Sequence, residues 1–379
     1  MARYYLILCL LWPLLSSLCL AATHCRDVIF QLRVAADNIR FANPPDPGND
    51  TAVLNFLKNR PPSGQPTNGT ATVTGTFSLA AIYCSPPPDV HETGILQLLS
   101  HGSTYNKSYW TGFGIHRVNN WPLFAADRGY HTLAVDRLGH GLSKPFPDPV
   151  ASVQVGLHVA LVRAILSSLR QPNNPLRHKP FTRFVYVGHS YGSVVGVALV
   201  AAEPQSVAAL VLTGHSTTPY PPVLSALTAG LESARLTLPG RFGSLPAGYG
   251  VLANGSLREH SFYTDRYDRA LAARDNQLQD TVAVGELLVS APGFTPVPGY
   301  RGPVMVVTGA VDQLLCNPAA GTCEDILNRT GLLFPASARY DYYAPPRTGH
   351  NVVLHESAWD TMKVVHHWLD KAIVRDVGG

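Results

Sequence analysis

The sequence predicts one α/β domain, built on a mostly parallel sheet with helices on both faces. Short apolar runs alternate with longer helical patterns from about residue 94 onward, which is typical of repeated βαβ units. The chain has 379 residues, of which 46% are hydrophobic, so it can bury a large core. We expect this domain to occupy residues 22–379.

The first 21 residues have the pattern of a secretory signal peptide. Arg3 precedes an apolar run that ends in small residues, with cleavage expected after Ala21 or Ala22. A membrane anchor is the alternative, but the run ends without flanking charges and no other segment approaches the length that spans a bilayer. We therefore expect a secreted, extracellular protein without stable membrane insertion.

The region from about 22 to 93 is expected to contribute early strands at one side of the sheet. β-Branched and aromatic residues are dense over 27–36 and 70–83, and the loop between these runs is rich in Pro, Gly and Asn. Further along the chain, five apolar runs predict parallel strands, at 94–100, 130–136, 184–188, 208–214 and 303–309. Helices are expected between and after them, around 106–127, 150–169, 191–202 and 356–374.

The segment from about 216 to 302 is too long for an ordinary crossover. It mixes helical pattern with several Gly and Pro, and QLQDTVAVGELLV near its end predicts a helix. We interpret it as a lid inserted over the carboxyl edge of the sheet, where ligands of open α/β sheets bind.

Removal of the signal peptide leaves four cysteines, an even number that suits two disulfides in an oxidising compartment. Three pairings are possible. We expect Cys25 with Cys84 and Cys316 with Cys323, because the first pair ties the N-terminal region to itself and the second closes one short loop. Five N-x-[ST] sequons are candidate glycosylation sites: Asn49, Asn68, Asn106, Asn254 and Asn328.

Composition argues against several classes of partner. Charged residues make up 14% of the chain, the net charge is +4, and Lys and Arg are scattered, so nothing supports nucleic-acid binding. No C-x-x-C or H-E-x-x-H motif is present, and the adjacent His366 and His367 would point to different sides of a helix. We expect neither a metal nor another cofactor.

The pentapeptide GHSYG has the pattern and the context of a nucleophile elbow. It follows an apolar strand and opens a helix, and Gly188 and Gly192 allow the two elements to cross closely around Ser190. A serine hydroxyl needs a base to take its proton, so an acid and a histidine should follow in the order Ser, Asp/Glu, His. Ser190 is therefore the predicted nucleophile.

Asp312 and His350 have the expected order and context for the other two members of a triad. Asp312 lies just after the run at 303–309, and His350 precedes the last predicted helix. The other histidines fit less well: His355 lies too near that helix and His215 precedes the lid, where the chain order is wrong.

A tetrahedral intermediate needs two N–H donors. One is expected from Tyr191, directly after the nucleophile, and the other from the His101-Gly102-Ser103-Thr104 turn after an early strand. We favour Ser103 over Thr104 for the second donor. A further stretch, DRLGHGLS from Asp136 to Ser143, lacks the Gly-Lys-Ser/Thr of a phosphate loop and is interpreted as a structural turn near the site.

Together, His101-Gly102, DRLGHGLS, GHSYG, Asp312 and TGH at His350 resemble the α/β-hydrolase superfamily from about Gly94 onward. The N-terminal part, with Cys25, the Asn-rich loop, the run TFSLAAIYC and SHGSTYNKSYW, resembles a group of secreted fungal α/β hydrolases. The resemblance implies an eight-stranded sheet with a cap after strand six and a triad of Ser190, His350 and Asp312. It does not imply a substrate.

The superfamily also contains epoxide hydrolases and haloalkane dehalogenases, which use an aspartate at the elbow. Serine at 190 instead favours acyl chemistry, so the expected partner is a small ester or a related acyl substrate. A lactone or a peptide or amide would use the same triad, and a non-catalytic binding protein on this fold is the alternative from another class.

Overall fold

The computed structural model describes residues 25–264 and 266–374; the expected signal peptide lies outside them. In the described residues, the strands are β1 (Cys25–Phe41), β2 (Thr67–Cys84), β3 (Ile95–Ser100), β4 (His131–Val135), β5 (Arg183–His189), β6 (Ala209–Thr213), β7 (Glu232–Ser233), β8 (Tyr249–Val251), β9 (Val282–Ala283), β10 (Val304–Val307) and β11 (Tyr340–Tyr343). Eight of them form one sheet in the order β1-β2-β4-β3-β5-β6-β10-β11.

Twelve α-helices lie in the same described residues. They are α1 (Asp50–Lys58), α2 (Trp121–Ala126), α3 (Val155–Leu169), α4 (Tyr191–Ala202), α5 (Pro221–Ala229), α6 (Ala234–Thr237), α7 (Pro239–Phe242), α8 (Gly255–Phe262), α9 (Arg269–Leu278), α10 (Val284–Leu288), α11 (Cys323–Thr330) and α12 (Ala358–Leu369). Short 3₁₀ segments cover Lys107–Gly114, Arg117–Asn119, Ala291–Phe294, Pro318–Ala320 and Gly331–Leu333, and a π-helical turn follows at Asp370–Val374.

The predicted fold class is confirmed. The six strands from β4 to β11 in the sheet order are parallel, and β2 is antiparallel to both β1 and β4. All five apolar runs predicted as parallel strands form strands, because each is buried on both faces as parallel strands require. The edge strand β11 was not identified from the sequence, since its four residues are only partly buried or exposed.

Helices cover both faces of the sheet, as predicted. One buried cluster joins the sheet to α3, α4 and α11, and the other joins it to α1, α2 and α12. This three-layer arrangement leaves the carboxyl ends of the parallel strands at one edge, where the loops that follow β3, β5, β10 and β11 meet.

The N-terminal region forms one long hairpin. Side chains of β1 alternate in burial, with Val28, Phe30 and Leu32 facing the core, and Cys25 pairs with Cys84 in register. A disulfide joins these two cysteines. The helix α1 in the loop of this hairpin was not predicted, because proline-rich stretches flank it. Its first turn is capped by the Asn49 side chain.

Two helix predictions are wrong in detail. The expected helix at 106–127 is broken into two 3₁₀ segments and α2, because Gly112 and Phe113 adopt positive φ angles of 57° and 53°. The helix expected over QLQDTVAVGELLV is interrupted between α9 and α10. There, residues 280–283 pair with backbone elsewhere: Val282 pairs with Gly250, and Thr104 exchanges hydrogen bonds with Asp280 and Thr281.

The chain between β6 and β10 packs as a cap of short helices, α5 to α10, around a small antiparallel sheet in the order β7-β8-β9. Near the end of the main sheet, a second disulfide joins Cys316 to Cys323 and closes a loop just after Asp312. In the part of the chain that the structure describes, no helix is long and apolar enough to cross a membrane.

Candidate active site

Ser190 lies at a strained corner between β5 and α4. Its backbone has φ 52° and ψ −117°, a conformation that non-glycine residues rarely adopt. A Cβ atom at Gly192 would lie 2.1 Å from the Ser100 carbonyl oxygen, and one at Gly188 would lie 2.5 Å from the Gly192 carbonyl oxygen. The two glycines therefore permit the close crossing of strand and helix that presents Ser190, as the motif predicts.

Asp312 and His350 form a buried hydrogen-bonded pair. His350 Nδ1 lies 2.8 Å from Asp312 Oδ2, and the other carboxylate oxygen accepts backbone N–H bonds from Leu314 at 2.8 Å and Leu315 at 3.1 Å. The Asp312 side chain is fully buried and that of His350 is 2% exposed. With Nδ1–H donated to the carboxylate, Nε2 keeps the lone pair that a general base needs.

The loops that carry the acid and the histidine touch through their backbones. A Cβ atom at Gly309 would lie 2.1 Å from the Thr348 carbonyl oxygen, and Val311 N–H donates to that same oxygen at 3.1 Å. Asp312 N–H in turn donates to the Gly309 carbonyl at 2.9 Å. Sequence reasoning missed Gly309, although the repeated Thr-Gly pairs after β10 and before His350 were a usable signal.

His350 lies against the nucleophile elbow. Its ring centroid is 4.9 Å from that of His189, the residue before Ser190, and 5.7 Å from that of Phe262 in the cap. Among the described residues, no hydrogen bond joins Ser190 Oγ to His350 Nε2. In enzymes without bound substrate this contact is often long and tightens in the Michaelis complex.

The turn after β3 packs directly on the elbow. A Cβ atom at Gly102 would lie only 2.9 Å from Ser190 Cβ. Thr104 N–H already donates to the Thr281 carbonyl at 3.0 Å, so this amide is not free for an oxyanion. The amides of Ser103 and Tyr191 have no backbone acceptor among the described residues, which favours these two as the donors.

A buried arginine that sequence reasoning missed holds this turn in place. The Arg137 guanidinium donates to the His101 carbonyl oxygen and, at 2.7 Å, to Glu286 Oε1. Arg137 backbone N–H donates to His101 Nε2 at 3.1 Å, which leaves the ring proton on Nδ1, beside the Gly102 carbonyl at 2.8 Å. Glu286 belongs to α10, so the cap is tied to the turn through Arg137.

Burial and the neighbouring Arg137 set the charges of His101 and Glu286. Burial, and then the positive charge of Arg137, hold the pKa of His101 well below its usual value. Burial by itself raises the pKa of Glu286, but Arg137 and His140 outweigh it and lower the pKa to about 2. Glu286 is therefore an anion paired with Arg137, and His101 is neutral. Arg137 lies in the DRLGHGLS stretch, but only tertiary structure brings it to Glu286, so the sequence did not reveal the pair.

The DRLGHGLS stretch is a structural turn, closed around a buried carboxylate. Asp136 Oδ1 accepts Lys107 N–H at 2.7 Å, and Oδ2 accepts Leu142 N–H at 2.9 Å and the Lys107 ammonium at 2.6 Å. A Cβ atom at Gly141 would lie 2.3 Å from the Asp136 carboxyl group. The turn is thus filled by the chain's own groups, consistent with the structural interpretation.

A second buried ion pair anchors the cap to the turn after β3 and to the loop that carries His350. Arg258 and Asp275, 2.7 Å apart, are each 1% exposed; Arg258 also donates to Thr104 Oγ1 at 2.6 Å. Tyr105 donates to Asp275 at 3.0 Å and accepts from the Asn351 amide at 2.7 Å. Asn351 follows His350, and Thr104 ends the turn at 101–104, the candidate oxyanion turn, so the position of the cap is coupled to both.

Aromatic side chains near the elbow belong to the core. Tyr105 and Trp110 are almost fully buried, and the Tyr191 ring packs beneath Arg137, whose guanidinium carbon lies 4.8 Å from the ring centroid. A pocket of about 560 Å³ opens instead on the cap surface; it is lined by cap residues, among them Glu259 and Tyr263, and by Gln313, next to the acid. None of the triad residues lines this pocket.

The asparagine side chains of the five sequons differ in exposure and in hydrogen bonding. Asn68 and Asn328 are exposed, whereas Asn49 and Asn254 are exposed residues whose side-chain oxygens cap helices. Asn106 is partly buried and its amide nitrogen donates to Asp280 at 2.8 Å. A glycan on that nitrogen would compete with the Asp280 contact, so Asn106 is the least suited of the five.

Comparisons with known proteins agree with this architecture. A model of the alpha/beta hydrolase family matches residues 97–362. No curated protein matches the chain in sequence.

Two solved structures share the fold at low identity. One is a thermophilic esterase from Thermogutta terrifontis, with a TM-score of 0.51 and 15% identity over 79% of this chain and 95% of the esterase. The other is a laboratory-evolved potato epoxide hydrolase, with a TM-score of 0.52 and 16% identity over 78% of this chain and 96% of that one. The family model matches residues 97–362, well over half of the length of this chain, and the chain therefore belongs to the alpha/beta hydrolase family.

Proposed function

We propose that this protein is a serine hydrolase of carboxylic esters, in which Ser190 is the nucleophile, His350 the base and Asp312 the acid. The observation that carries the proposal is the buried Asp312–His350 pair, 2.8 Å apart, packed beside a serine held at a strained strand-to-helix corner. The pair orients an imidazole with a free Nε2 lone pair, and the corner exposes a hydroxyl to substrate.

In this mechanism Ser190 Oγ attacks the ester carbonyl carbon while His350 Nε2 takes the hydroxyl proton. The resulting imidazolium is stabilised by the Asp312 carboxylate, which remains ionised. His350 then gives the proton to the leaving alkoxide as the ester C–O bond breaks. Water, deprotonated by His350, attacks the acyl-enzyme, releases the carboxylic acid and restores Ser190.

The backbone amides of Ser103 and Tyr191 are the proposed oxyanion hole. Tyr191 opens α4, so the positive end of that helix dipole also favours the developing oxyanion. Arg137 supports the Ser103 side of the hole by binding the carbonyl of His101, two residues earlier. This places a preorganised pair of donors on one side of the carbonyl that Ser190 attacks.

The structural neighbours include both an esterase and an epoxide hydrolase, and residue 190 favours the first chemistry. An aspartate at the elbow forms an ester with the ring carbon of an epoxide, whereas a serine forms an acyl-enzyme with a carbonyl substrate. Lactones and amides would use the same triad.

Two acidic cap residues that could bind the amino group of a peptide substrate, Glu259 and Asp268, are already bonded within the protein. Glu259 accepts from Arg269 at 2.8 Å and from Tyr267, while Asp268 caps α9 and contacts His116 at 2.7 Å. This occupancy favours esters over peptides with a free amino terminus.

Secretion is part of the proposal. The N-terminal pattern predicts a cleaved signal peptide, and the structure contains two disulfides, which persist in oxidising compartments. Mass spectrometry of protein recovered from culture medium tests this, with a mature N-terminus at Ala22 or Thr23 as the expected result.

The test of the activity is hydrolysis of p-nitrophenyl acetate, butyrate and a long-chain ester by the wild type, by Ser190→Ala and by Ser225→Ala. Ser225 is an exposed serine of α5 that belongs to no sequon, and it is the matched control. We expect Ser190→Ala to lose about 10³-fold or more in kcat and Ser225→Ala to retain wild-type rates. If the folded Ser190→Ala variant still turns over any of the three esters at the wild-type rate, Ser190 is not the nucleophile.

A further inference from the structure

A second cluster of reactive side chains lies at the edge of the sheet opposite Ser190. Glu92 lies in the loop before β3, His131 is the first residue of β4, and His178 lies in the loop before β5. Their potential ligand atoms lie within 4.8 Å of one another. Because all three positions lie before or at the first residue of parallel strands, they meet at the amino edge of the sheet, whereas Ser190 follows β5 at the carboxyl edge.

His131 presents a buried ring nitrogen without a partner. The side chain is fully buried, its Nδ1 lies 2.7 Å from the Tyr83 hydroxyl, and its Nε2 has no hydrogen-bond partner among the described residues. That nitrogen faces Glu92, whose Oε2 is 3.6 Å away, beyond hydrogen-bond distance. A buried polar atom left unpaired is costly, and here it is directed at a carboxylate.

His178 is oriented in the same way. Its Nδ1 lies 2.7 Å from the Lys179 carbonyl oxygen, so Nδ1 carries the proton and Nε2 keeps its lone pair. The Nε2 atom is 4.0 Å from Glu92 Oε2. Both histidines therefore have Nδ1 fixed by a protein oxygen and Nε2 turned toward one carboxylate, which is how metal-ligating histidines are commonly held.

We propose that Glu92, His131 and His178 bind one Zn²⁺ through one carboxylate oxygen and two Nε2 atoms, with the remaining position open to solvent. Ligand atoms on a tetrahedral zinc, at about 2.0 to 2.1 Å from the ion, are about 3.4 Å apart. The observed separations of 3.6 and 4.0 Å require only small movements of Glu92 and His178, which are 43% and 19% exposed.

The donor set selects the class of metal. Two imidazoles and one carboxylate suit zinc, whereas Mg²⁺ and Ca²⁺ prefer oxygen ligands alone. Lys179 competes for the same carboxylate, because its Nζ lies 4.0 Å from Glu92 Oε2. This side chain is 71% exposed, so it can move into solvent when the cation enters.

A metal here would clamp two loops rather than take part in catalysis. It would join the loop before β3 to the loop before β5 through the first residue of β4. The three ligands are separated by 39 and 47 residues in sequence, which is why a search for short metal-binding motifs did not find them. Binding to the folded state alone would raise stability by mass action.

The test uses the purified full chain, stripped with a chelator and then titrated with Zn²⁺ alone by calorimetry. We expect one zinc per chain and a rise of a few degrees in Tm at saturating zinc. His178→Ala and Glu92→Gln should each weaken binding at least tenfold. His367→Ala, which removes an exposed histidine from α12, should bind as the wild type does.

Two results would overturn the proposal. One is the absence of saturable zinc binding by the folded wild type. The other is equal zinc affinity in the wild type, His178→Ala and Glu92→Gln, which would place the metal elsewhere. Since both variants change partly exposed side chains, circular dichroism can verify their folds, and Mg²⁺ in place of Zn²⁺ should give no binding.

Discussion

At the scale of single residues, the proposed reaction depends on how Asp312 holds His350. The carboxylate accepts three hydrogen bonds, two from backbone amides and one from the imidazole, so its position is set before substrate arrives. This preorganisation holds the His350 ring with Nδ1 toward the carboxylate, which in the proposed mechanism lets Nε2 accept the Ser190 proton.

Replacing Asp312 by Asn tests that role with almost no change in volume. An asparagine amide turned toward His350 would favour the wrong imidazole tautomer, so we expect kcat to fall by about 10³- to 10⁴-fold with little change in KM. Steady-state ester hydrolysis gives the result, beside Asp360→Asn on the exposed face of α12 as a control. A loss of less than tenfold in a folded variant would mean that Asp312 does not orient the base.

Sequence patterns located the candidate triad because each member follows a recognisable strand or precedes a recognisable helix. Arg137 also follows a predicted strand, but its pairing with Glu286 left no signal in the sequence, and neither did the grouping of the histidine ligands of the proposed zinc site. In both clusters the partners lie far apart in the chain and become neighbours only when the cap and the sheet edges are assembled.

At the scale of secondary-structure elements, the cap is held by buried ion pairs in addition to apolar contacts with the rest of the domain. Glu286 of α10 contacts Arg137 at 2.7 Å, and neither side chain is more than 4% exposed. Removing the charge of one partner leaves the other buried without compensation.

We therefore expect Glu286→Gln to lower the free energy of unfolding by about 3 kcal/mol and to reduce kcat, because Arg137 then no longer holds the oxyanion turn. Urea unfolding measures the first effect and ester hydrolysis the second. Glu232→Gln, at an exposed cap position, should change stability by less than about 0.5 kcal/mol. Equal stabilities of the two variants would contradict the structural role of the pair.

Element boundaries were predictable where local preference and tertiary packing agree. α4 follows its predicted bounds because an unbroken run of small and apolar residues is buried over most of its length. The helix expected over 277–289 failed because residues 280–283 gain backbone partners in β8 and in the oxyanion turn, which outweighs their helical pattern.

At the scale of the whole molecule, burial of neutral histidines makes stability depend on pH. Burial is the main cause that lowers the pKa of His158 and His366 to about 3 and that of His215 to about 4. In the unfolded chain these groups titrate near 6.5, so below that pH the unfolded state binds more protons. Their contribution is complete above pH 6.5 and is lost as pH falls toward 3.

As pH falls from roughly 6 to 4, each of these histidines should lower the free energy of unfolding by about 1.4 kcal/mol per pH unit. Urea unfolding at pH 8, 6 and 5 measures how steeply the free energy of unfolding falls with pH. His366→Gln should reduce this pH dependence by the contribution of one histidine, whereas His367→Gln, at the exposed neighbouring position, should leave it unchanged. An unfolding free energy that is constant from pH 7 to 5 would contradict the neutral burial of these side chains.

The fold class as a whole was predictable, because alternating apolar runs and helical patterns leave few topologies for a chain of this length. The substrate could not be predicted, since the cap is built from short segments whose packing depends on contacts with distant loops. The eight-stranded sheet brings the candidate site residues to its carboxyl edge, where Phe262 of the cap packs against His350.

The proposed reaction depends on activation of the Ser190 hydroxyl by His350. Labelling of the folded protein with an organophosphonate, mapped by peptide mass spectrometry, reports this activation. We expect one label per chain, on the peptide that contains Ser190, absent in Ser190→Ala and much slower in Asp312→Asn. A folded wild type that takes up no label, or that is labelled at another residue, would show that Ser190 is not an activated nucleophile.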